Sequence, residues 1–573
     1  MSLHPVAVGA WSGALAAIFV AVCGHGLGWL SLYPGDVWVG TPQGTDLWTY
    51  FSMARAVWDS PNGITYSYPY DLYWPVPPVL FQLPITLLAW VGRVVGLPLA
   101  FELGRVAGAA GAGAAVGALA MMFRRGFWRW WFLVALLPGG GLFWVGAMVL
   151  AWKTAGPEGF VELWQYQWQS EDRLLWWLPF LVRNLRLPLE CIYHALVMGA
   201  LACLVWRRHG WALVLGLCVW LSNPFSAVAL HSAVVPWLAW RVWETRGEAR
   251  RRMAVWLGGW LLVNALAAVY YGWFLNRWPL LMELHELYRI QHVPPLTVWQ
   301  MAMLLLPYGA GLLATAVWPW ARRAVWGSAR WRLFALLALA HIVLIQQSAF
   351  LGERAMQSYH YNRGYLQLGL VMTAWRVLTV ARRSAGLGGA GGRWFWPWRY
   401  NGDLRRRATA WVVAVVVSLT CLDQVLFACY ALTKAGDAGY VSQNFRTLLR
   451  RVPAEPAPMI IYSEPFATAP SYITAFTPHI AWNAEDTMVV PFWYERGILV
   501  RQALQGQHGG VAALGIDYMI LPTGYTEEIA ALIGQGWQKI DEAGYLSLLR
   551  SPSPRVGKNP SPPKSVHDLV PLK

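Results

Sequence analysis

Charged residues are scarce in this chain. Asp, Glu, Lys and Arg make up 13% of its 573 residues, whereas 57% of the residues are hydrophobic. In a typical soluble domain about a quarter of the residues are charged. This composition excludes an ordinary soluble domain. Apolar runs long enough to cross a bilayer, about 20 residues each, recur from residue 8 to residue 432, so we interpret the chain as a polytopic membrane protein.

Cysteine is rare as well, and the few cysteines have no paired spacing, which argues against a disulfide framework or a zinc site. They are Cys23, Cys191, Cys203, Cys218, Cys421 and Cys429. No internal duplication is visible. The stretch GLGGAGG at 386–392 lacks the strand and helix of a phosphate-binding loop, so we interpret it as a linker. The first apolar segment lacks a basic start and a small-x-small cleavage site, which indicates an uncleaved signal anchor.

Most of the net charge of +16 comes from arginines in every second short loop. This alternation is the pattern that the positive-inside rule produces, so we interpret it as membrane topology and not as a nucleic-acid surface. The clusters are Arg124, Arg125 and Arg129; Arg207 and Arg208; Arg250, Arg251 and Arg252; Arg322 and Arg323; Arg382 and Arg383; and Arg405, Arg406 and Arg407.

Placing these loops in the cytoplasm predicts a mainly α, polytopic transmembrane helical bundle over residues 1–432, with about 11 spans. The N-terminus is then cytoplasmic and the C-terminal domain is extracytoplasmic. The tight SNPFS turn at 222–226 joins two spans on the outer side. The predicted spans lie near residues 8–30, 101–122, 131–152, 188–206, 210–223, 226–243, 253–273, 298–319, 333–350, 364–380 and 408–432.

The first outer loop, residues 31–100, contains two predicted surface helices. In GTDLWTYFSMARAVW, at 44–58, apolar residues recur at the i, i+3, i+4, i+7 spacing of an amphipathic helix, and Asp46 stands at its head. The run PPVLFQLPITLLAWVG, at 77–92, is apolar enough for a span. Counting it as one would move the first arginine cluster outside, so we assign it as a helix at the outer face.

The composition from residue 433 to residue 550 is that of an α/β domain. PMIIYS and IDYMILPT predict strands, VVPFWYERGILVRQAL and TEEIAALIGQG predict helices, and WQKIDEAGYLSLLRS predicts a hairpin. Together these segments predict a small mixed sheet with helices packed on it. The tail, residues 551–573, is rich in Pro, Ser and Lys and is predicted to be disordered.

The order of these elements resembles the GT-C superfamily of polytopic glycosyltransferases, which use polyprenyl-phosphate sugars. The resemblance rests on a first span, the outer loop with Asp46 at the head of a helix, the stretch YSYPYDLYWPVPP, a surface helix, and a span beginning LGRVAGAAG with Arg105. It covers residues 1–380 and looks most like poorly characterised bacterial members. It implies transfer of a sugar from a polyprenyl-phosphate-linked donor to a glycan, lipid or protein acceptor.

The resemblance implies that Asp46 is catalytic, because it matches the position of the family's catalytic aspartate. A carboxylate there would take the proton of the acceptor hydroxyl or amide that attacks the anomeric carbon. Many members have an adjacent acidic pair, whereas Leu47 follows Asp46 here, so the acceptor type and any metal stay open. A helix cap is the alternative role for Asp46, and the two roles can coexist.

Cations at the outer surface would stabilise the lipid phosphate that leaves in such a reaction. Arg363 in YHYNRGYLQ is the first candidate, and the others are Arg354, His360, Arg183, Arg186 and Arg105. Each arginine taken singly also fits an interfacial side chain that reaches toward lipid headgroups, and His360 fits the interface. Their number on the outer side, against the positive-inside bias, favours a function for Arg363.

No cofactor is required by the sequence. Glu171 and Asp172 in QSEDRLL offer oxygen ligands for a divalent cation, Mg²⁺ or Mn²⁺. An acidic loop that binds only water is the favoured alternative.

Three functions fit the sequence. The first is an integral-membrane glycosyltransferase in the bacterial cytoplasmic (inner) membrane, whose partners are the lipid-linked donor, the acceptor and membrane lipids, with no nucleic acid. The second is a transporter or flippase of a lipid-linked glycan, although the paired broken spans of such proteins are not evident. The third is a non-catalytic GT-C-fold protein that binds a glycan.

Overall fold

The computed structural model describes residues 5–29, 37–38, 45–70, 76–123, 153, 156, 187–278, 280–282, 295–352, 355, 358–361, 363–384, 440–454, 458–464, 470–483 and 493–553. The chain divides into two compact units that alternate along the sequence. Unit 1 consists of Met1–Gly24, Gly104–Val269 and Arg289–Thr433, and unit 2 consists of His25–Leu103, Tyr270–Tyr288 and Lys434–Lys573.

Helices dominate the described residues up to residue 384. The elements are α1 (Pro5–Trp29), β1 (Val37–Trp38), α2 (Thr45–Asp59), α3 (Leu83–Val95), α4 (Leu97–Ala120), α5 (Pro188–Val205), α6 (His209–Trp220), α7 (Pro224–Glu244), α8 (Gly247–Ala267), α9 (Val298–Leu305), α10 (Gly309–Val317), α11 (Pro319–Trp326), α12 (Ala329–Ile345), α13 (Ser348–Leu351) and α14 (Tyr365–Ser384).

Short helices and strands alternate after residue 440. The elements are β2 (Tyr440–Val441), α15 (Gln443–Leu449), β3 (Ile460–Ser463), α16 (Pro470–Phe476), β4 (Ile480–Ala481), α17 (Trp493–Leu504), β5 (Tyr518–Pro522), α18 (Thr526–Gly534), β6 (Gln538–Ala543) and β7 (Leu546–Arg550).

Four described helices are long and apolar enough to cross a membrane: α4, α5, α7, and α8 with its continuation to Arg277. A fifth span is possible if α11 and α12 are counted together, although they meet at 101°. These helices indicate a membrane protein, but the predicted count of eleven is not confirmed. The predicted spans at 131–152 and 408–432 lie outside the described residues, and the one at 298–319 consists of two helices, α9 and α10.

Local sequence explains two of the connections in unit 1. In the SNPFS turn, the side chain of Asn223 accepts a hydrogen bond from the backbone N–H of Ser226 at 2.9 Å, and Pro224 fills the first position of α7. The turn therefore joins α6 and α7 as predicted. At the bend between α11 and α12, the chain contains Gly327 and Ser328, a pair at which helices commonly kink.

Glycines bring α1 and α4 into close contact within unit 1. Gly9 and Gly13 face Gly113 and Gly117, each pair spaced four residues apart. A Cβ atom on Gly117 would lie 1.9 Å from the carbonyl oxygen of Gly9, and one on Gly13 would lie 2.0 Å from that of Gly113. Van der Waals contact through small residues is the main source of helix association in lipid, where the hydrophobic effect between helices is absent.

In unit 2, α2 confirms the amphipathic helix predicted at 44–58. Leu47, Phe51, Ala54 and Val57 are all buried. Phe51 packs against Phe101 and Phe476, with ring centroids 4.7 and 5.5 Å away. The helix is therefore fixed by aromatic side chains from the beginning of α4 and from α16.

The helix α3 has 13 residues, fewer than the roughly 20 that a span requires. It packs on α2, where the indole N–H of Trp58 donates to the carbonyl of Ala89. Arg93, in the last turn of α3, donates to the carbonyl of Trp58 at 3.0 Å. The helix is thus short for a span, and its position at the outer face of the membrane stays a prediction.

The C-terminal part of unit 2 forms the predicted mixed sheet, with strand order β4-β3-β5-β7-β6. The first three strands are parallel, while β7 is antiparallel to both β5 and β6. Arg496 in α17 is buried and donates to the carbonyls of Trp482, at 3.0 Å, and Tyr70, at 3.2 Å. The segment around Tyr70 and the sheet domain thus belong to the same unit, whereas the domain boundaries predicted from the sequence stay predictions.

We expect Gly117→Ala to lower the free energy of unfolding by about 1–3 kcal/mol, because its methyl group would overlap the backbone of α1. Gly258→Ala in α8 is the matched control, since a Cβ atom there meets nothing within 4 Å. The control should be neutral or stabilising by up to about 1 kcal/mol. Thermal unfolding of the purified protein in detergent measures both, and equal melting temperatures for wild type and Gly117→Ala would contradict the close contact.

Candidate functional site

A group of ionisable side chains meets inside unit 1, around the arginine that the sequence ranks first. Glu190 and His194 come from α5, and His360 comes from the 3₁₀ turn Ser358–Tyr361. Arg363 lies in the turn before α14, and Tyr365 is the first residue of that helix. We name these five residues the Arg363 cluster. They bring together a cation, a carboxylate, two imidazoles and a phenol at the ends of two apolar helices.

The backbone at Arg363 has an unusual conformation. Its φ is +40°, and Gly364 follows with φ of +87° before α14 begins. The left-handed region costs a non-glycine residue about 1–2 kcal/mol, so the surroundings must hold it. Arg363 Nε donates to the carbonyl of His360 at 3.1 Å, which closes a tight loop around the arginine itself.

Arg363 and Glu190 form a buried ion pair. The guanidinium Nη1 donates to Glu190 Oε1, and the two residues are only 4% and 5% exposed. The carboxylate lies in the first turn of α5, which starts at Pro188, and an acidic residue there is favoured by the helix dipole. Each charge removes the large penalty that the other would incur if it were buried alone. Arg363 is therefore a paired, interior arginine and not one that reaches toward headgroups.

Two buried polar atoms of the cluster have no hydrogen-bond partner among the described residues. They are Oε2 of Glu190 and Nε2 of His194. The other ring nitrogen of His194, Nδ1, lies 2.9 Å from the hydroxyl of Tyr365. Unsatisfied buried groups cost about 1–3 kcal/mol each and are usually explained by a ligand, an ion or water. The cluster therefore has polar atoms that a bound molecule can satisfy.

His360 contacts both the arginine and an aromatic side chain. Its Nδ1 lies 3.3 Å from Nη2 of Arg363, and its ring centroid lies 5.0 Å from that of Phe225. Burial, and then the positive charge of Arg363, hold the pKa of His360 well below the ordinary histidine value. The imidazole is thus neutral at neutral pH, and its Nδ1 can accept the hydrogen bond from the guanidinium.

The remaining predicted residues belong to other elements or lie outside the described residues. Asp46 lies in the first turn of α2 in unit 2, and Arg105 is fully buried in α4. Arg354, Arg183, Arg186, Glu171 and Asp172 lie outside the described residues. Within the described ranges, no group of three or more His, Cys, Asp or Glu side chains could hold a metal ion.

The sequence interpretation missed Glu190 and His194. A signal was present in LPLECIYHALVMG, because a carboxylate and an imidazole four residues apart share one face of a predicted span. Buried ionisable residues within apolar spans are the better guide.

Comparison with known proteins gives structural neighbours but no sequence relatives. No family model matches the chain. A search of curated proteins also found no match. Among solved structures, the chain is similar to the oligosaccharyltransferase of Archaeoglobus fulgidus tethered with an acceptor peptide, with a TM-score of 0.46 and 13% identity over 92% of this chain and 71% of that one.

Two further solved structures are similar to the chain. ArnT from Cupriavidus metallidurans bound to undecaprenyl phosphate has a TM-score of 0.44 and 13% identity, over 93% of this chain and 96% of that one. The archaeal AglB from Archaeoglobus fulgidus, in complex with an inhibitory peptide and a dolichol-phosphate, has a TM-score of 0.38 and 12% identity, over 92% and 71%. These neighbours belong to the GT-C superfamily that the sequence resembles.

Because the ion pair is buried, we expect the effects of mutating Arg363 and Glu190 on the free energy of unfolding to be strongly coupled. Arg363→Gln alone should lower the free energy of unfolding by about 3–5 kcal/mol, because it leaves Glu190 buried without its cation. The double variant Glu190→Gln with Arg363→Gln should recover most of that loss. A double-mutant cycle of thermal unfolding in detergent measures the coupling, and additive effects of the two single variants would contradict the pairing.

Proposed function

We propose that this chain is an integral-membrane glycosyltransferase that moves a sugar from a polyprenyl-phosphate donor to an acceptor at the extracytoplasmic face of a bacterial cytoplasmic membrane. The Arg363 cluster is the observation that supports this proposal most directly. A guanidinium and a carboxylate buried together at the ends of apolar helices are costly, and such groups in a membrane domain are by default functional.

The reaction would break the bond between the anomeric carbon and the oxygen of the lipid phosphate. A new bond would form from the anomeric carbon to the acceptor oxygen or nitrogen. The acceptor proton would pass to a carboxylate base, and the electron pair of the broken bond would leave with the lipid phosphate. Such a reaction requires two protein groups, a base near the acceptor and a cation near the phosphate.

Arg363 would supply the cation. A guanidinium presents a planar fork of N–H donors that suits phosphate oxygens, and these hydrogen bonds are stronger when both partners are charged. Because Arg363 is already paired with Glu190, a phosphate would compete with the carboxylate for the same donors. The neutral imidazole of His360 would help to hold the guanidinium in place while this exchange occurs.

Asp46 would supply the base. It lies in the first turn of α2, and that helix is fixed by the contacts of Phe51 and by the hydroxyl of Ser52, which lies 3.0 Å from the hydroxyl of Tyr70. A base that transfers a proton in the transition state must be held in position. Glu171 and Asp172 remain candidates for a divalent cation, and Arg105, Arg354, Arg183 and Arg186 remain candidates for further contacts with the donor.

Binding of undecaprenyl phosphate tests the role of Arg363, with undecaprenol as the uncharged control ligand. We compare Glu190→Gln with the double variant Glu190→Gln plus Arg363→Gln, because both remove the Glu190 carboxylate and they differ only at Arg363. Thermal unfolding checks that Glu190→Gln stays folded, since it leaves the Arg363 guanidinium without its anion. Glu190→Gln should bind undecaprenyl phosphate more tightly than wild type, since the competing carboxylate is gone. The double variant should bind about 10-fold or more weakly, from the loss of a charge-assisted hydrogen bond.

Native mass spectrometry of the protein in detergent measures both affinities. Arg323→Gln is the control, because it removes an exposed arginine of α11 outside the cluster. Equal affinity of the double variant and wild type would overturn the phosphate role of Arg363. Equal binding of undecaprenol and undecaprenyl phosphate would show that only the isoprenoid chain is recognised.

Turnover tests the role of Asp46. We expect Asp46→Asn to reduce the release of undecaprenyl phosphate from undecaprenyl-phosphate sugars by about 10²–10⁴-fold, because the acceptor proton loses its base. Affinity for undecaprenyl phosphate should stay unchanged. Asp46→Ser is the companion variant, since serine also caps helices but is not a base at neutral pH. Activity of Asp46→Asn at the wild-type rate would rule out the mechanism, and wild-type binding without turnover would identify a non-catalytic relative.

A further inference from the structure

A second basic site lies in unit 1, away from the Arg363 cluster. The turn between α5 and α6 and the start of α8 enclose a cleft that is lined by Arg207, Arg208, Arg252, Trp211 and Trp256, among others. Arg207 and Arg208 are exposed and have no ion pair with a carboxylate among the described residues. Arg252 pairs with Glu248 one turn earlier in α8. The cleft therefore has a net positive charge.

The backbone of this turn presents an arginine where glycine is usual. Arg208 N–H donates to the carbonyl of Cys203 and Arg207 N–H to that of Leu204, at 2.7 and 3.1 Å, which is the Schellman pattern that ends a helix. The residue at the left-handed position of this motif is Arg207, with φ of +59°. A glycine would avoid the steric cost, so this position has a charged side chain at the expense of backbone strain.

The cleft lies at the opposite end of α5 from the Arg363 cluster. Glu190 is in the first turn of α5, whereas Arg207 is two residues beyond its end. The 18 residues of this helix span about 27 Å, close to the roughly 30 Å thickness of the hydrocarbon core. The cleft and the Arg363 cluster are thus at the two faces of the membrane, and the arginine pattern assigns the cleft to the cytoplasmic face.

An apolar stripe continues from the cleft along α6. Trp211, Val214 and Leu217, spaced three residues apart on one side of the helix, are 67%, 50% and 38% exposed. Trp256 stacks on His209, with ring centroids 5.9 Å apart, and this contact fixes α6 against α8. Cations at the headgroup level, with tryptophan and aliphatic side chains beside them, match a phosphate with attached acyl chains.

We propose that this cleft binds the phosphodiester headgroup of an anionic phospholipid from the cytoplasmic leaflet, with its acyl chains along the exposed side of α6. A soluble phosphate has no acyl chain, so it would gain no binding free energy from contact with Trp211, Val214 and Leu217. A nucleic acid would require a wider basic surface in water, whereas the cations here are at the ends of apolar helices. The site is independent of the sugar-transfer proposal.

The test uses the full-length protein and the variants Arg207→Gly and Arg252→Gln. Arg207→Gly removes a charge and also relieves the left-handed strain, so the fold should be retained or stabilised. Arg323→Gln is the matched control, an exposed arginine of the same predicted face that does not line the cleft. Native mass spectrometry measures the affinity for phosphatidylglycerol and for phosphatidylcholine, and thermal unfolding checks the fold.

We expect wild type to prefer phosphatidylglycerol, and each cleft variant to bind it about fivefold more weakly, the effect of one interfacial arginine on an anionic lipid. Arg323→Gln should bind as wild type does. Equal affinities for all four proteins, or an equal loss in Arg323→Gln, would overturn the proposal. Displacement of phosphatidylglycerol by an equal concentration of glycerol phosphate would also overturn it, because the site would then recognise a free phosphate.

Discussion

The pairing of Arg363 with Glu190 is the interaction on which unit 1 depends at its predicted outer face. A charge in an apolar helical bundle is tolerated only when it is compensated, and here the two partners come from α5 and from the turn before α14. The ion pair holds the start of α5 against the turn that precedes α14, and it helps to hold Arg363 in a left-handed conformation. The same pair leaves Glu190 Oε2 unsatisfied among the described residues, so the groups that stabilise the bundle also provide the polar atoms of the proposed binding site.

Both non-glycine residues with positive φ in the described part of the chain are arginines, Arg207 and Arg363. Arg207 follows α5, whereas Arg363 precedes α14 and pairs with Glu190 at the start of α5. Strained backbone persists only where the neighbouring structure over-determines it, and it is concentrated at sites that bind ligands. Unit 1 thus has one strained arginine at each end of a membrane-length helix, paired with a carboxylate at one end and exposed at the other.

The sequence predicted those parts of the fold that depend on local periodicity. The i, i+3, i+4 spacing located α2, because one face of that helix is buried. Continuous apolar runs located β3 and β5, because both faces of these strands are buried. The number of spans was not predictable in the same way. Residues 298–319 form a nearly continuous apolar run, but the chain breaks between α9 and α10 around Pro307, because proline removes a helix hydrogen bond and clashes with the preceding turn. A proline can kink or break a helix, and a count of apolar residues does not decide between the two.

Of the candidate site, the sequence identified Arg363 and His360 but neither Glu190 nor His194. Arg363 and His360 are three residues apart, so a single turn brings them together. Glu190 lies 173 residues away from Arg363 along the chain, and only the packing of α5 against the start of α14 makes it a partner. Long-range pairs of this kind leave no spacing pattern in one sequence. Asp46 keeps its predicted position in the first turn of α2, and its role as a base stays a prediction.

The most direct test of the central claim is a cryo-EM map of the protein in nanodiscs with undecaprenyl phosphate. The account predicts phosphate density within hydrogen-bond distance of the Arg363 guanidinium, about 2.7–2.9 Å from nitrogen to oxygen, with the contact to Glu190 Oε1 lengthened or lost. Lipid phosphate bound elsewhere, with Arg363 still paired to Glu190, would contradict it.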